Sequence, residues 1–131
     1  MTQLRVLVAE DYDSGREAAV EVIKQSLDNA TIIEATTGAA ALEALLQYLP
    51  EIALLDFNMP SMNGSDVILK YRIRRPNANT FFLLYSANHS NKEYAKQLGV
   101  PFLSKPYDIN QLRAYLHGFA EEIGVHSEKP L

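Results

Sequence analysis

Short apolar runs alternate with segments of helical period along nearly the whole chain. The runs Leu4 to Ala9, Thr31 to Ala35, Ile52 to Leu55, Phe81 to Tyr85 and Val100 to Leu103 hold few polar residues, as expected of strands buried on both faces of a parallel sheet. Between two of them, Ala41, Leu42, Leu45, Leu46 and Leu49 fall on one face of a helix. After the last run, Ile109, Leu112, Leu116, Phe119 and Ile123 do the same. Both stripes predict helices that face a core. Repeated βα units of this kind build one doubly wound α/β domain, a five-stranded parallel sheet with helices on both faces.

Local signals punctuate the pattern. Ser14 with Glu17, and Asp108 with Gln111, have the spacing of capping boxes and predict helix starts. Pro76, Asn77 and Asn79 predict a turn between the third helix and the fourth strand. Past Ile123 the pattern fades, so residues 1–123 are expected to form the domain and 124–131 a flexible tail or the stub of a linker.

Composition narrows the class. A chain of 131 residues with 47% apolar and 21% charged residues suits a single globular domain. A net charge of −4 offers no general footprint for nucleic acid. The run Arg72, Arg74, Arg75 falls at a helix end, where cations suit the helix dipole, and reads as a solvated terminus rather than a phosphate grip. No stretch approaches the roughly 20 apolar residues of a membrane span, and no leader pattern opens the chain, so no membrane partner is expected and the cytoplasm is the default. The chain has no cysteine, which removes disulfides and thiolate metal sites.

In a doubly wound sheet, ligands bind outside the carboxyl ends of the strands, where the strand order reverses. The strand ends here carry Glu10 and Asp11, then Asp56, then Ser86, and the last runs into Lys105. Three carboxylates in one crevice repel one another and are costly to bury without a counter-charge. Oxygen ligands without nearby histidine or cysteine favour Mg²⁺ or Mn²⁺ over zinc, and Mg²⁺ shares its shell with phosphate oxygens. Lys105 then offers a charge to a phosphoryl oxygen, Ser86 a hydrogen bond to another, and Asp56 a nucleophile. His89, His117 and His126 share no spacing with each other or with a nucleophile, and read as surface residues; a phosphodonor is expected on another protein.

The stretches VLVAED, LLDFNMPSMNG, LLYSA and FLSKP together resemble the receiver domains of two-component response regulators, from Arg5 to about Ile123. The resemblance implies a flavodoxin-like strand order 2-1-3-4-5 and Asp56 as phosphoacceptor. It implies Mg²⁺ bound by Asp11 directly, by Glu10 largely through water, by Asp56 and by the Asn58 carbonyl. Ser86 and Phe102 take the switch positions, and Met59, Pro60 and Gly64 shape the loop after Asp56. A cis Lys105–Pro106 bond, accessible to proline, is also implied. The phosphodonor is then a histidine on a sensor kinase or a phosphotransfer protein, and the output is docking to a downstream protein. No enzyme activity is expected beyond the domain's own phosphoryl transfer and dephosphorylation.

Two departures bear on partners. From Ser86 to Lys105 the chain is about one helical turn shorter than receivers usually are, which predicts a stunted fourth helix. Val100 and Pro101 stand where the family often has an acidic pair, and proline there suits an edge strand. Tyr94, Val100, Pro101, Phe102 and Tyr107 are therefore read as an apolar docking patch on a monomer or weak dimer, acting as a stand-alone regulator or relay shuttle. Two rivals remain open at this stage. An aspartate-nucleophile phosphatase usually needs an acid two positions after the nucleophile, where Asn58 stands. A nucleotide or flavin module needs a glycine-rich or hydroxyl-rich loop after the first strand, where Glu10, Asp11, Tyr12 and Asp13 stand.

Overall fold

A computed structural model describes residues 3–124. Strands β1 (Leu4–Ala9), β2 (Ala30–Ala35), β3 (Ile52–Asp56), β4 (Phe81–Ser86) and β5 (Phe102–Ser104) form one parallel sheet in the order β2-β1-β3-β4-β5. Helices α1 (Asp13–Ser26), α2 (Gly38–Tyr48), α3 (Gly64–Arg74), α4 (Lys92–Leu98) and α5 (Ile109–Ile123) connect and follow them. The order is the flavodoxin-like one expected from the sequence.

Central strands explain their own composition. Every residue of β3 is buried, because helices cover both faces of the sheet. Alternation along β1 then divides the core in two. Val6 and Val8 pack with Ile23, Leu112 and Leu116 beneath α1 and α5, while Leu7 and Ala9 pack with Ala41, Leu45, Val67 and Ile68 beneath α2 and α3. Each of these buried valine, leucine and isoleucine side chains stabilises the fold by roughly 1.5–3 kcal/mol.

The local signals fare unevenly. Asp108 caps α5, its carboxylate accepting the Asn110 amide at 2.8 Å. The proposed box at Ser14 does not form: α1 begins two residues earlier, after Tyr12, whose side chain makes no capping bond. Arg16 governs that start instead, donating to the Glu10 carbonyl at 3.0 Å, to Asp13 at 2.7 Å and to Glu34 at 3.0 Å. Leu49, expected on the core stripe of α2, is its C-cap, adopts a left-handed φ of 46° and is 43% exposed. Ile109 opens the first turn of α5 and is half exposed. The turn at 75–80 is present, and α4 is stunted to seven residues, preceded by a single 3-10 turn at His89–Asn91. The tail 125–131, with His126, lies outside the described residues.

Candidate active site

The strand order reverses between β1 and β3, so a crevice opens beyond their carboxyl ends. Register sets its contents. Asp56 pairs with Tyr85, and Ser86 pairs with Ser104, which leaves Lys105 just past the end of β5. The Lys105–Pro106 bond is cis. The Lys105 ammonium reaches Asp56 Oδ2 at 2.8 Å and Glu10 Oε1 at 2.9 Å, so one cation bridges two buried carboxylates.

Asp56 Oδ1 accepts the Asn58 amide at 3.1 Å, which leaves both carboxylate oxygens held. Burial raises the Asp56 carboxyl above its ordinary range, against the opposing pull of Lys105 and the Asn58 amide. Burial alone would lower the Lys105 ammonium, but its bonds to Asp56 and Glu10 outweigh that and hold it above its ordinary value. The same ammonium lies 4.9 Å from the centroid of the Tyr85 ring. Gly64 lets α3 begin hard against the site: a Cβ there would meet the Asp56 carbonyl oxygen at 2.7 Å. Its amide donates to the Phe57 carbonyl at 2.9 Å, which fixes the far end of the loop that contains Met59 and Pro60.

The structure thus brings Glu10, Asp56 and Lys105 together, with Asn58 and Ser86 alongside. Asn58 Nδ2 reaches Ser86 Oγ at 3.4 Å. Asp11 is exposed beside Glu10, and among the described residues no group of three His, Cys, Asp or Glu side chains converges on a metal position. The counter-charge between Glu10 and Asp56 is Lys105. The donors still suit a hard divalent cation: all are oxygens, and Glu10 Oε2 is buried without a hydrogen-bond partner.

Ser86 is fully buried, and its hydroxyl also accepts from the Asn88 amide and from Asn91 Nδ2, each at 3.0 Å. Asn91 is a site residue that the sequence reading missed; an asparagine ahead of a helix reads as a cap, and only its burial shows that it faces inward. Tyr85 was missed too, because a tyrosine in an apolar strand reads as core. Phe102 and Tyr107 share a cavity of about 680 Å³ with His89 and Tyr115. Tyr94 instead lies against Phe57, ring centroids 5.0 Å apart, and half-buried Val100 packs on the core beneath α3 and α4. Tyr94 therefore lies on a different surface from the Phe102 and Tyr107 cavity. His89 bonds Ser104 Oγ at 2.8 Å, and His117 Nε2 meets the Ser26 carbonyl at 3.1 Å.

Comparison with known proteins places the chain in a family. Residues 6–117 match the family described as the response regulator receiver domain, and the chain belongs to that family. It is 40% identical over 70 residues to the NarL protein of Mycobacterium tuberculosis, a match covering 53% of this chain and 32% of that one. The chain thus spans about a third of that relative's length. The solved signal receiver domain of NarL superposes with a TM-score of 0.78 at 32% identity, covering 92% of this chain and 98% of the other. Sporulation initiation phosphotransferase F of Bacillus subtilis is 23% identical over 114 residues, which are 86% of this chain and 90% of that protein. No helix among the described residues is long and apolar enough to cross a membrane.

Proposed function

We propose that Asp56 is the phosphoacceptor of this receiver domain, and that its phosphorylation switches a surface that docks a partner protein. The observation that carries this reading is the Asp56 carboxylate at the crevice, held by the Lys105 ammonium at 2.8 Å and the Asn58 amide at 3.1 Å. In the transfer, one Asp56 oxygen attacks phosphorus while the bond to the donor nitrogen breaks, its electron pair leaving on the imidazole of a kinase or phosphotransfer histidine. Lys105 stabilises charge on the phosphoryl oxygens, and Ser86 donates its hydroxyl once it leaves its asparagine partners.

Asp11, Glu10, Asp56 and the Asn58 carbonyl are the groups that would hold Mg²⁺. Bound there, the ion neutralises charge on the phosphoryl group. Asp11 stays exposed and available, whereas Glu10 and Asp56 are shared with Lys105. The output surface is taken to be the Phe102 and Tyr107 cavity, with Tyr94 on a separate face against Phe57, facing a heterologous protein while the domain stays a monomer or weak dimer. The near full-length match to a sporulation phosphotransferase supports a relay role, with phosphoryl transfer to itself as the only chemistry. A phosphatase reading is not favoured, since the Asn58 amide cannot supply the proton that a leaving group needs.

Incubation with acetyl phosphate and Mg²⁺ tests the assignment. The wild-type chain is expected to gain one phosphoryl mass by native mass spectrometry and Asp56→Asn none. Equal labelling of both would move the acceptor elsewhere.

A further inference from the structure

Glu10 carries the longer of the two acids after β1, and it is only 1% exposed. Its Oε1 is paired with Lys105 at 2.9 Å, while Oε2 has no partner. The Tyr85 hydroxyl makes no well-formed hydrogen bond either, yet lies close enough for the Glu10 carboxylate to help it keep its proton by charge and side-chain hydrogen bonding. A metal-side acid is therefore withdrawn into the protein, with one oxygen left without a well-formed hydrogen bond.

Gly15, in the first turn of α1, makes that position possible. A Cβ there would lie 1.6 Å from Glu10 Oε2, 2.6 Å from its Cδ and 3.0 Å from Oε1. These are its three nearest neighbours, and all belong to one carboxyl group. The backbone does not require glycine at this point: Gly15 is helical, and the glycines with positive φ are Gly99 and Gly124. Helix interiors disfavour glycine, so its presence works against α1. The gap it leaves is filled by the Glu10 carboxylate.

We propose that Gly15 is a positioning residue that holds Glu10 withdrawn onto Lys105, and that this berth lowers the affinity of the crevice for a divalent cation. Closing the berth displaces the carboxylate. The displaced group lies at the end of a flexible side chain, so α1 itself need not shift. Lys105, whose ammonium also holds Asp56, draws the displaced carboxylate toward the crevice, where Asp11 stands exposed. There the carboxylate joins the hard oxygen donors that a divalent cation needs.

The inference rests on the metal-binding phosphoacceptor reading, and its test separates the two. Mg²⁺ is titrated against wild type, Gly15→Ala, Glu10→Asp and the double variant, with affinity read from the Mg²⁺ dependence of the melting temperature. Gly15→Ala is expected to bind Mg²⁺ about threefold to tenfold more tightly, with the loss of the buried Glu10–Lys105 pair offsetting what alanine adds to α1 in the metal-free melt. In the Glu10→Asp background, whose acid is one methylene too short for the berth, the same alanine should leave affinity unchanged. Unchanged or weaker binding by Gly15→Ala, or an equal gain in the Glu10→Asp background, would overturn the proposal. If that happens while wild type binds Mg²⁺ and accepts a phosphoryl group, the berth alone is wrong. Wild type that binds no Mg²⁺ sinks both.

Discussion

The ammonium of Lys105 rests 4.9 Å from the centre of the Tyr85 ring, so the floor of the acidic crevice is an aromatic face. A cation over such a face is attracted by the ring's quadrupole, most strongly where water is excluded. Register explains the pairing, since Tyr85 lies opposite Asp56 on the neighbouring strand and the chain returns to that point at Lys105. The same phenol is driven well above its ordinary value of 10.0, first by burial and then by the Glu10 charge.

Alkaline pH should therefore weaken the fold. The folded chain retains protons on Tyr85, Tyr107 and Lys105 at pH values where the unfolded chain has begun to lose them. Where the native state binds more protons, unfolding free energy falls as pH rises. Stability from these groups is present in full below their ordinary values, 10.0 for tyrosine and 10.5 for lysine, and declines above them. Urea midpoints between about pH 8 and 11 should fall steeply past pH 10, and less steeply in Tyr85→Phe. Parallel curves for the two proteins would remove Tyr85 from the account.

Removing the ammonium tests the bridge directly. Lys105→Met leaves Glu10 and Asp56 buried together without a counter-charge, a change that costs about 3 kcal/mol when one member of a buried pair is lost. Urea unfolding at neutral pH without metal measures it. Added Mg²⁺ should restore part of the loss and stabilise the variant more than wild type. Equal stability of the two proteins without metal would mean that Lys105 is not the charge that offsets the two acids.

Much of this arrangement was legible in the sequence, and the gaps have physical causes. Periodicity identified all five strands, most clearly the central ones, because strands covered on both faces must be apolar throughout: β3 is buried at every residue, whereas edge strand β2 is largely half-exposed. Strand-end chemistry identified Asp56 and Lys105, because a sheet of this order exposes those ends to one crevice. Helix starts were read less well. The Ser14 box failed because Arg16 ties the first turn of α1 to the Glu10 carbonyl and, across 18 residues, to Glu34, bonds that a capping-box spacing does not encode. Gly15 and Asn91 were invisible for a related reason: what distinguishes each is an inward-facing contact, to Glu10 and to Ser86, that residue type alone does not carry. The patch around Phe102 divided because Tyr94 turns to the Phe57 ring, a contact set by the short α4.

Loss of Asn91 should loosen the loop after β4. Its Nδ2 donates to buried Ser86 Oγ at 3.0 Å, and that oxygen also receives the Asn88 amide. Asn91→Ala deletes one of these bonds and should cost about 1 kcal/mol. Amide exchange at Asn88 should speed up, while amides of β1 and β3 keep their protection relative to the global stability of the variant. A uniform change throughout the sheet would show that Asn91 acts on the whole fold rather than on the position of Ser86.

Metal should stabilise the native chain in proportion to what the crevice binds. At a free Mg²⁺ concentration tenfold above its Kd, linkage gives about 1.4 kcal/mol, or roughly 5 °C in melting temperature for a domain of this size. Asp11→Asn should abolish most of that gain with little effect on the metal-free melt, because Asp11 is exposed. The gain should also fade at low pH. Burial holds the Asp56 carboxyl above its ordinary value of 3.8, so the folded chain takes up a proton there earlier than the unfolded chain does. That group stabilises the metal-free fold below pH 3.8 and ceases to do so as pH rises through its folded value, which is where a cation begins to compete for it. Melting curves with and without Mg²⁺ should therefore converge on acidification and separate toward neutrality. A Mg²⁺ effect that persists at the acid end, or that survives Asp11→Asn intact, would place the cation outside the crevice.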